Sequence, residues 1–119
     1  MSLKFEIEIP GLPRTTNGSH GHWRAAAAER KKWRTAICLL ASRERPSVPL
    51  KKAKITCIRY SSSEPDFDNL VISFKSCLDG LRDAGVIADD KKRNIGATTY
   101  LWQKAPARQG KIKIIVEEI

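Results

Sequence analysis

The spacing of hydrophobic and polar positions changes several times along the chain. Residues 3–9 alternate, with Leu3, Phe5, Ile7 and Ile9 on one side and Lys4, Glu6 and Glu8 on the other. A period of two marks a half-buried strand, because successive strand side chains leave opposite faces. Pro10, Gly11 and Pro13 end it. Residues 14–22, Arg-Thr-Thr-Asn-Gly-Ser-His-Gly-His, have no period and read as an exposed loop. Residues 23–43 then take helical spacing. They contain four consecutive alanines and no glycine or proline, and Trp33, Ile37 and Leu40 share one face. Pro46 and Pro49 mark the exit.

Residues 53–60 alternate again, with Ala53, Ile55, Cys57 and Arg59 on one face, and their β-branched content favours a strand. A second helix is expected to open at Asp66 or Asp68 and to run to about Asp83. Its apolar stripe is Leu70, Phe74, Cys77, Leu78 and Leu81, and Asp68 or Asn69 is placed to cap its first amides. Gly85 ends that unit. Residues 95–102 and 111–119 read as two further strands, with 103–110 as a hairpin connection between them. The order is β-α-β-α-β-β. The simplest architecture is α+β: a single domain over residues 1–119 in which two main helices cover a mixed β-sheet.

Composition narrows the function. The 119 residues are 41% hydrophobic and 29% charged, a balance that suits a folded chain with its own core rather than a disordered one. Twenty-two Lys and Arg face 13 Asp and Glu, a formal net charge of +9. Such an excess attracts polyanions, and nucleic acid is the first partner to expect. No stretch joins high hydrophobicity to a basic amphipathic face, and no apolar run approaches membrane-spanning length. The N-terminal residues lack the apolar core of a leader, so a cytoplasmic protein without membrane contact is expected. Cys38, Cys57 and Cys77 are widely spaced, odd in number and without CxxC spacing. They fit small core residues in a reducing compartment better than a zinc site or a disulfide framework.

Against this basic background the acids stand out. Asp66 and Asp68 are two apart, with no Lys or Arg between them. In an extended segment, such residues project to the same side. Two carboxylates so placed repel each other unless a cation sits there, and a hard divalent cation such as Mg²⁺ favours carboxylate oxygens. A solvated turn or a helix cap is the plainer reading of the same pair, and of Asp89-Asp90 further on. The combination argues for more. A cationic surface can hold a nucleic-acid backbone while separated acids place a metal at a phosphate, as phosphodiester hydrolysis requires.

Five elements occur in order: Pro65-Asp66-Phe67-Asp68-Asn69-Leu70, Lys75, Leu78-Asp79-Gly80-Leu81, Ala84-Gly85, and Val86-Ile87-Ala88-Asp89-Asp90. Together they resemble the signature of the RusA family of Holliday-junction resolvases, with its D-x-D-N-L segment opening a helix, helix lysine, D-x-L segment, A-G pair and terminal D-D. The resemblance is close over residues 65–90 and looser over the first strand and the Pro-Arg-Thr-Thr-Asn loop. It implies a homodimeric, structure-specific endodeoxyribonuclease, bacterial or phage- or prophage-encoded. Such an enzyme binds four-way DNA junctions and makes paired symmetric cuts with Mg²⁺ or Mn²⁺ and a water nucleophile.

Carried over by position, the resemblance makes Asp66, Asp68 and Asp90 the metal ligands and Lys75 a further catalytic residue. Asp89 and Asn69 would support the ligands from behind. Lys75 lies seven residues after Asp68, about one turn further than in the best-known members, while its spacing to Asp79 matches. Four and seven residues both return to one helix face. Arg14, Asn17, His22, Arg24, Lys31 and Lys32 are the expected DNA contacts. His20 and His22 have no acidic neighbours in the loop and read as solvated side chains rather than as metal ligands or a base. Two other readings stay open: a basic nucleic-acid-binding module without catalysis, and a nuclease for other branched DNA.

Overall fold

A computed structural model of the protein describes residues 3–13, 23–88 and 95–119. The elements are β1 (Lys4–Pro10), α1 (Trp23–Ser42), β2 (Ala53–Ser61), α2 (Phe67–Ser73), α3 (Lys75–Asp83), β3 (Ile95–Lys104) and β4 (Lys111–Glu118). Helices α2 and α3 are one helix bent at Phe74, so the order is β-α-β-α-β-β and the class is α+β, as expected. The sheet order is β1-β4-β2-β3. β4 is antiparallel to both of its neighbours, and β2 and β3 are parallel, which makes the sheet mixed.

The alternation in sequence becomes one covered face. Phe5 and Ile7 of β1, Ala53, Ile55 and Cys57 of β2, and Ile112, Ile114 and Val116 of β4 are buried under the helices. Register ties them together, since Ile114 stands opposite both Ile7 and Cys57. A slip of one residue in β4 would turn its three buried side chains to the open face. Each of those side chains contributes roughly 1.5–3 kcal/mol on full burial. Trp33, Ile37 and Ala41 come down from α1, and the whole stripe Leu70, Phe74, Cys77, Leu78 and Leu81 is buried. On the open face, β1 and β4 exchange ion pairs: Lys111 with Glu8 at 3.0 Å, Lys4 with Glu117 at 3.9 Å and Lys113 with Glu6 at 4.0 Å.

The expected hairpin through residues 103–110 is not formed. β3 and β4 lie on opposite sides of β2. The link between them crosses the end of β2, where the Ala105 amide donates to the Ser61 carbonyl and Gly11 donates to Gly110. A period of two tells which face a side chain takes but not which strand lies alongside.

The bend at Phe74 has a local cause. The Ser73 hydroxyl donates to the Leu70 carbonyl at 2.7 Å, and the Phe74 amide tightens onto Val71. Serine bonding back to its own helix in this way bends it. The end of α3 is a Schellman turn. Gly85, at φ +81°, donates to Arg82, and Val86 donates to Leu81. Burial pushes the Cys77 thiol up to about 12 and raises that of Cys57. Both belong to the core, as expected, while Cys38 is half-buried.

Helices α1 and α3 cross closely because position 80 has no side chain. A β-carbon there would lie 2.6 Å from the Arg34 carbonyl oxygen and 2.8 Å from Ile37 Cβ. Gly80→Ala would gain up to about 1 kcal/mol of helix propensity. It would lose more by forcing two backbones apart, an effect on the order of 1–3 kcal/mol. The expected result is a lower denaturation midpoint for Gly80→Ala. An unchanged or raised midpoint would contradict the crossing.

Candidate active site

The acid pair is reached from the C-terminal end of β2. There the Ser61 hydroxyl accepts from the Trp102 indole at 2.9 Å and donates to the Ser63 carbonyl at 2.7 Å, which anchors the link to α2. Asp66 has extended backbone, φ −60° and ψ 150°, and occupies the capping position. Its carbonyl accepts the Leu70 amide, but its carboxylate caps nothing. Asp68 and Asn69, the expected caps, lie inside the helix. Asp66 and Asp68 are exposed and Asn69 is half-buried. Among the described residues, neither carboxylate has a hydrogen-bond or ion-pair partner for its side chain, and the same holds for Glu64.

The pair is held over β3. The Phe67 ring stands edge-on to Tyr100, with centroids 6.4 Å apart and planes at 87°, and Tyr100 also meets the buried Phe74 at 6.1 Å. Tyr100 is mid-strand, so the start of α2 lies beside the middle of β3. The expectation that Asp66 and Asp68 project to one side rested on an extended segment, but only Asp66 is extended and Asp68 lies in the first turn of α2. Asp66, Asp68 and Asn69 therefore share a helix start by their adjacency in the chain. Asp89 and Asp90 lie outside the described residues. The described residues that flank them sit at the other end of β2, Ile87 bridging Leu50 and Ile95 opposite Ala53. Among the described residues, no three His, Cys, Asp or Glu side chains form a metal-holding group.

Lys75 opens α3 beyond the bend. Its ammonium donates to Asp79 Oδ1 at 3.2 Å, and Arg82 approaches the same oxygen at 3.7 Å. The matching Lys75–Asp79 spacing is therefore a contact within the helix.

Of the expected DNA contacts, Arg14, Asn17 and His22 lie outside the described residues, as does His20. Arg24, Lys31 and Lys32 are exposed on α1. The Lys32 ammonium lies 5.8 Å from the centre of a Trp33 ring. Lys31 lines an open cleft of roughly 450 Å³ between α1 and α3, together with Arg30, Arg34, Ser76, Asp79 and Asp83. The acids on its wall offset its cations.

Two further features had no clear sequence signal. Arg34 makes a two-pronged ion pair with Asp83, with Nη2 at 2.9 Å from Oδ1. The buried Arg59 donates to the Pro13 carbonyl at 2.7 Å, fastening the chain just before residue 14. Burial lowers the pKa of Arg59, and the charge of Glu29 partly offsets this. An arginine at an inward register position of a strand was the only sign of that role.

Neither the scan against protein-family models nor the search of curated proteins returns a match to this chain.

Hydrogen bonding from Arg34 holds the Asp83 carboxyl below its ordinary value and raises the Arg34 guanidinium. A depressed carboxyl stabilises the fold above its unfolded value, near 3.9. That contribution is lost as the pH falls through the lower folded value. The difference in thermal midpoint between wild type and Asp83→Asn should therefore shrink as the pH drops from 7 to below about 4. A difference independent of pH would contradict the pairing.

Proposed function

We propose that the protein is a divalent-metal-dependent endodeoxyribonuclease for four-way DNA junctions, of the kind its residues 65–90 resemble. The observation that carries this is the pair Asp66 and Asp68: two neighbouring carboxylates, exposed and without a cationic partner among the described residues, in a chain of net charge +9. Among the described residues, Asp79, Asp83, Glu6, Glu8 and Glu117 do have cationic partners, whereas Glu44 and Glu64 do not, so the missing partner counts only together with the two-residue spacing of the pair.

The donor set fits Mg²⁺, which takes one or two carboxylates and completes its shell with water and phosphate oxygens. Asp66 and Asp68 would hold it, with Asp90 as the third ligand and Asn69 and Asp89 supporting them. Asp90 is tethered two residues from Ala88 and five from Ile95, at most about 7 Å and 18 Å of chain. That tether has to bring it to the pair. When bound, the cation supplies Lewis acidity at the phosphate and lowers the pKa of water.

The remaining tasks belong to the chain. Arg24, Lys31 and Lys32 on α1, with Arg14, Asn17 and His22, would neutralise backbone phosphates and fix the register of the DNA. Lys75, kept in place by Asp79, would offset charge on the phosphate undergoing attack. A two-fold dimer would present two equal sites to a junction that needs two opposed cuts.

Asp66→Asn is the test. Because the Asp66 side chain caps nothing, stability should change by less than about 0.5 kcal/mol. Junction binding in the absence of metal should persist. Mg²⁺-dependent nicking should fall on the order of 100-fold or more, since a cation contributes several kcal/mol to such a step. Binding without any metal-dependent nicking by the wild type would leave a basic DNA-binding module. Equal cutting of junction, flap and linear duplex would remove the junction specificity.

A further inference from the structure

We propose that Phe67 recognises the branch point, its ring stacking on a base left unpaired at the junction centre. This rests on the nuclease reading above and assigns it a substrate-selecting residue. Phe67 is 65% exposed, and of the described side chains it is the only aromatic ring among the large exposed hydrophobics. Single exposed hydrophobic residues are common and mean little alone. The surroundings set Phe67 apart, since it lies between Asp66 and Asp68, the two carboxylates assigned to the scissile phosphate.

The ring is also set in place. Its edge-on contact with Tyr100, itself packed on the buried Phe74, holds it at a defined angle. With about two thirds of its surface in solvent, at least one face is open. A ring already held loses little freedom on binding. Every base has a π face, so a stacking ring accepts any base. In continuous duplex those faces are already covered by neighbouring bases, and exposing one costs a few kcal/mol. At a branch point the cost is smaller. A ring beside the metal ligands would therefore favour branched over linear DNA without reading sequence.

The test uses a synthetic four-way junction with 2-aminopurine at the branch point, and a linear duplex of equal length. Wild type, Phe67→Ala, Phe67→Trp and Asp66→Asn are titrated without metal and followed by fluorescence. Mg²⁺-dependent nicking and sedimentation are measured on the same proteins. Wild type, Phe67→Trp and Asp66→Asn should change the fluorescence on binding, and Phe67→Ala should not. Phe67→Ala should bind the junction roughly five- to a hundredfold more weakly, with duplex affinity unchanged.

Equal junction affinity and equal fluorescence change for wild type and Phe67→Ala, in a wild type that cuts with Mg²⁺, would overturn the ring's role and leave the nuclease standing. A ring-dependent fluorescence change in a wild type that never cuts would support the stacking and overturn the nuclease. A dimer that becomes monomeric on Phe67→Ala would place the ring in a contact between copies and overturn the proposal.

Discussion

The last strand lies inside the sheet, and the rest of the fold is arranged around it. β4 pairs with β1 on one side and β2 on the other, and Ile112, Ile114 and Val116 are fully buried beneath the helices. To reach that slot from β3, the chain has to pass over the end of β2. That end is correspondingly well bonded. Gly11 meets Gly110, Ala105 meets Ser61, Trp102 meets Ser61, and Arg59 meets Pro13. The link that carries Asp66 leaves from the same place. The acid pair therefore starts from a cross-tied corner of the fold and is then set beside β3 by Phe67, Tyr100 and Phe74.

Charge is distributed unevenly on this frame. On the open sheet face and between α1 and α3, acids and bases pair within 4 Å. Such exposed pairs contribute little to stability, typically under about 1 kcal/mol each. They do cancel fields locally. At the start of α2, Asp66 and Asp68 have no ion-pair partner among the described residues, and only the partial positive charge of the helix N-terminus faces them. Without a cation those charges repel DNA, while the basic first half of α1 attracts it. A divalent ion resolves that opposition, which is why the metal and the nucleic acid enter the proposal together.

Much of the fold was legible from residue spacing. The stripe Leu70, Phe74, Cys77, Leu78 and Leu81 is buried throughout, and the alternating segments are strands. Strand adjacency was not legible, because β4's place depends on register with two strands far away in the chain. The bend at Phe74 was hidden because a stripe at helical spacing survives a small change of axis. Within the site, the two-residue spacing of Asp66 and Asp68 suggested an extended pair, but Asp68 lies inside the helix, and the cap was misplaced by two or three residues. Asp, Asn and the preceding extended residue all satisfy the same sequence pattern, and only the backbone angles at Asp66 separate them. Arg59 and the Arg34–Asp83 pair depend on contacts 46 and 49 residues apart, beyond any local pattern.

The central claim is that acids from two separate stretches meet around one cation, and paramagnetic broadening by Mn²⁺ tests it most directly. On a ¹⁵N-labelled sample titrated with sub-stoichiometric Mn²⁺, the amide signals of residues 66–69 and 89–91 should weaken first and together. Magnesium in excess should restore both. Broadening confined to one stretch, or centred on the cleft between α1 and α3, would contradict a shared metal site.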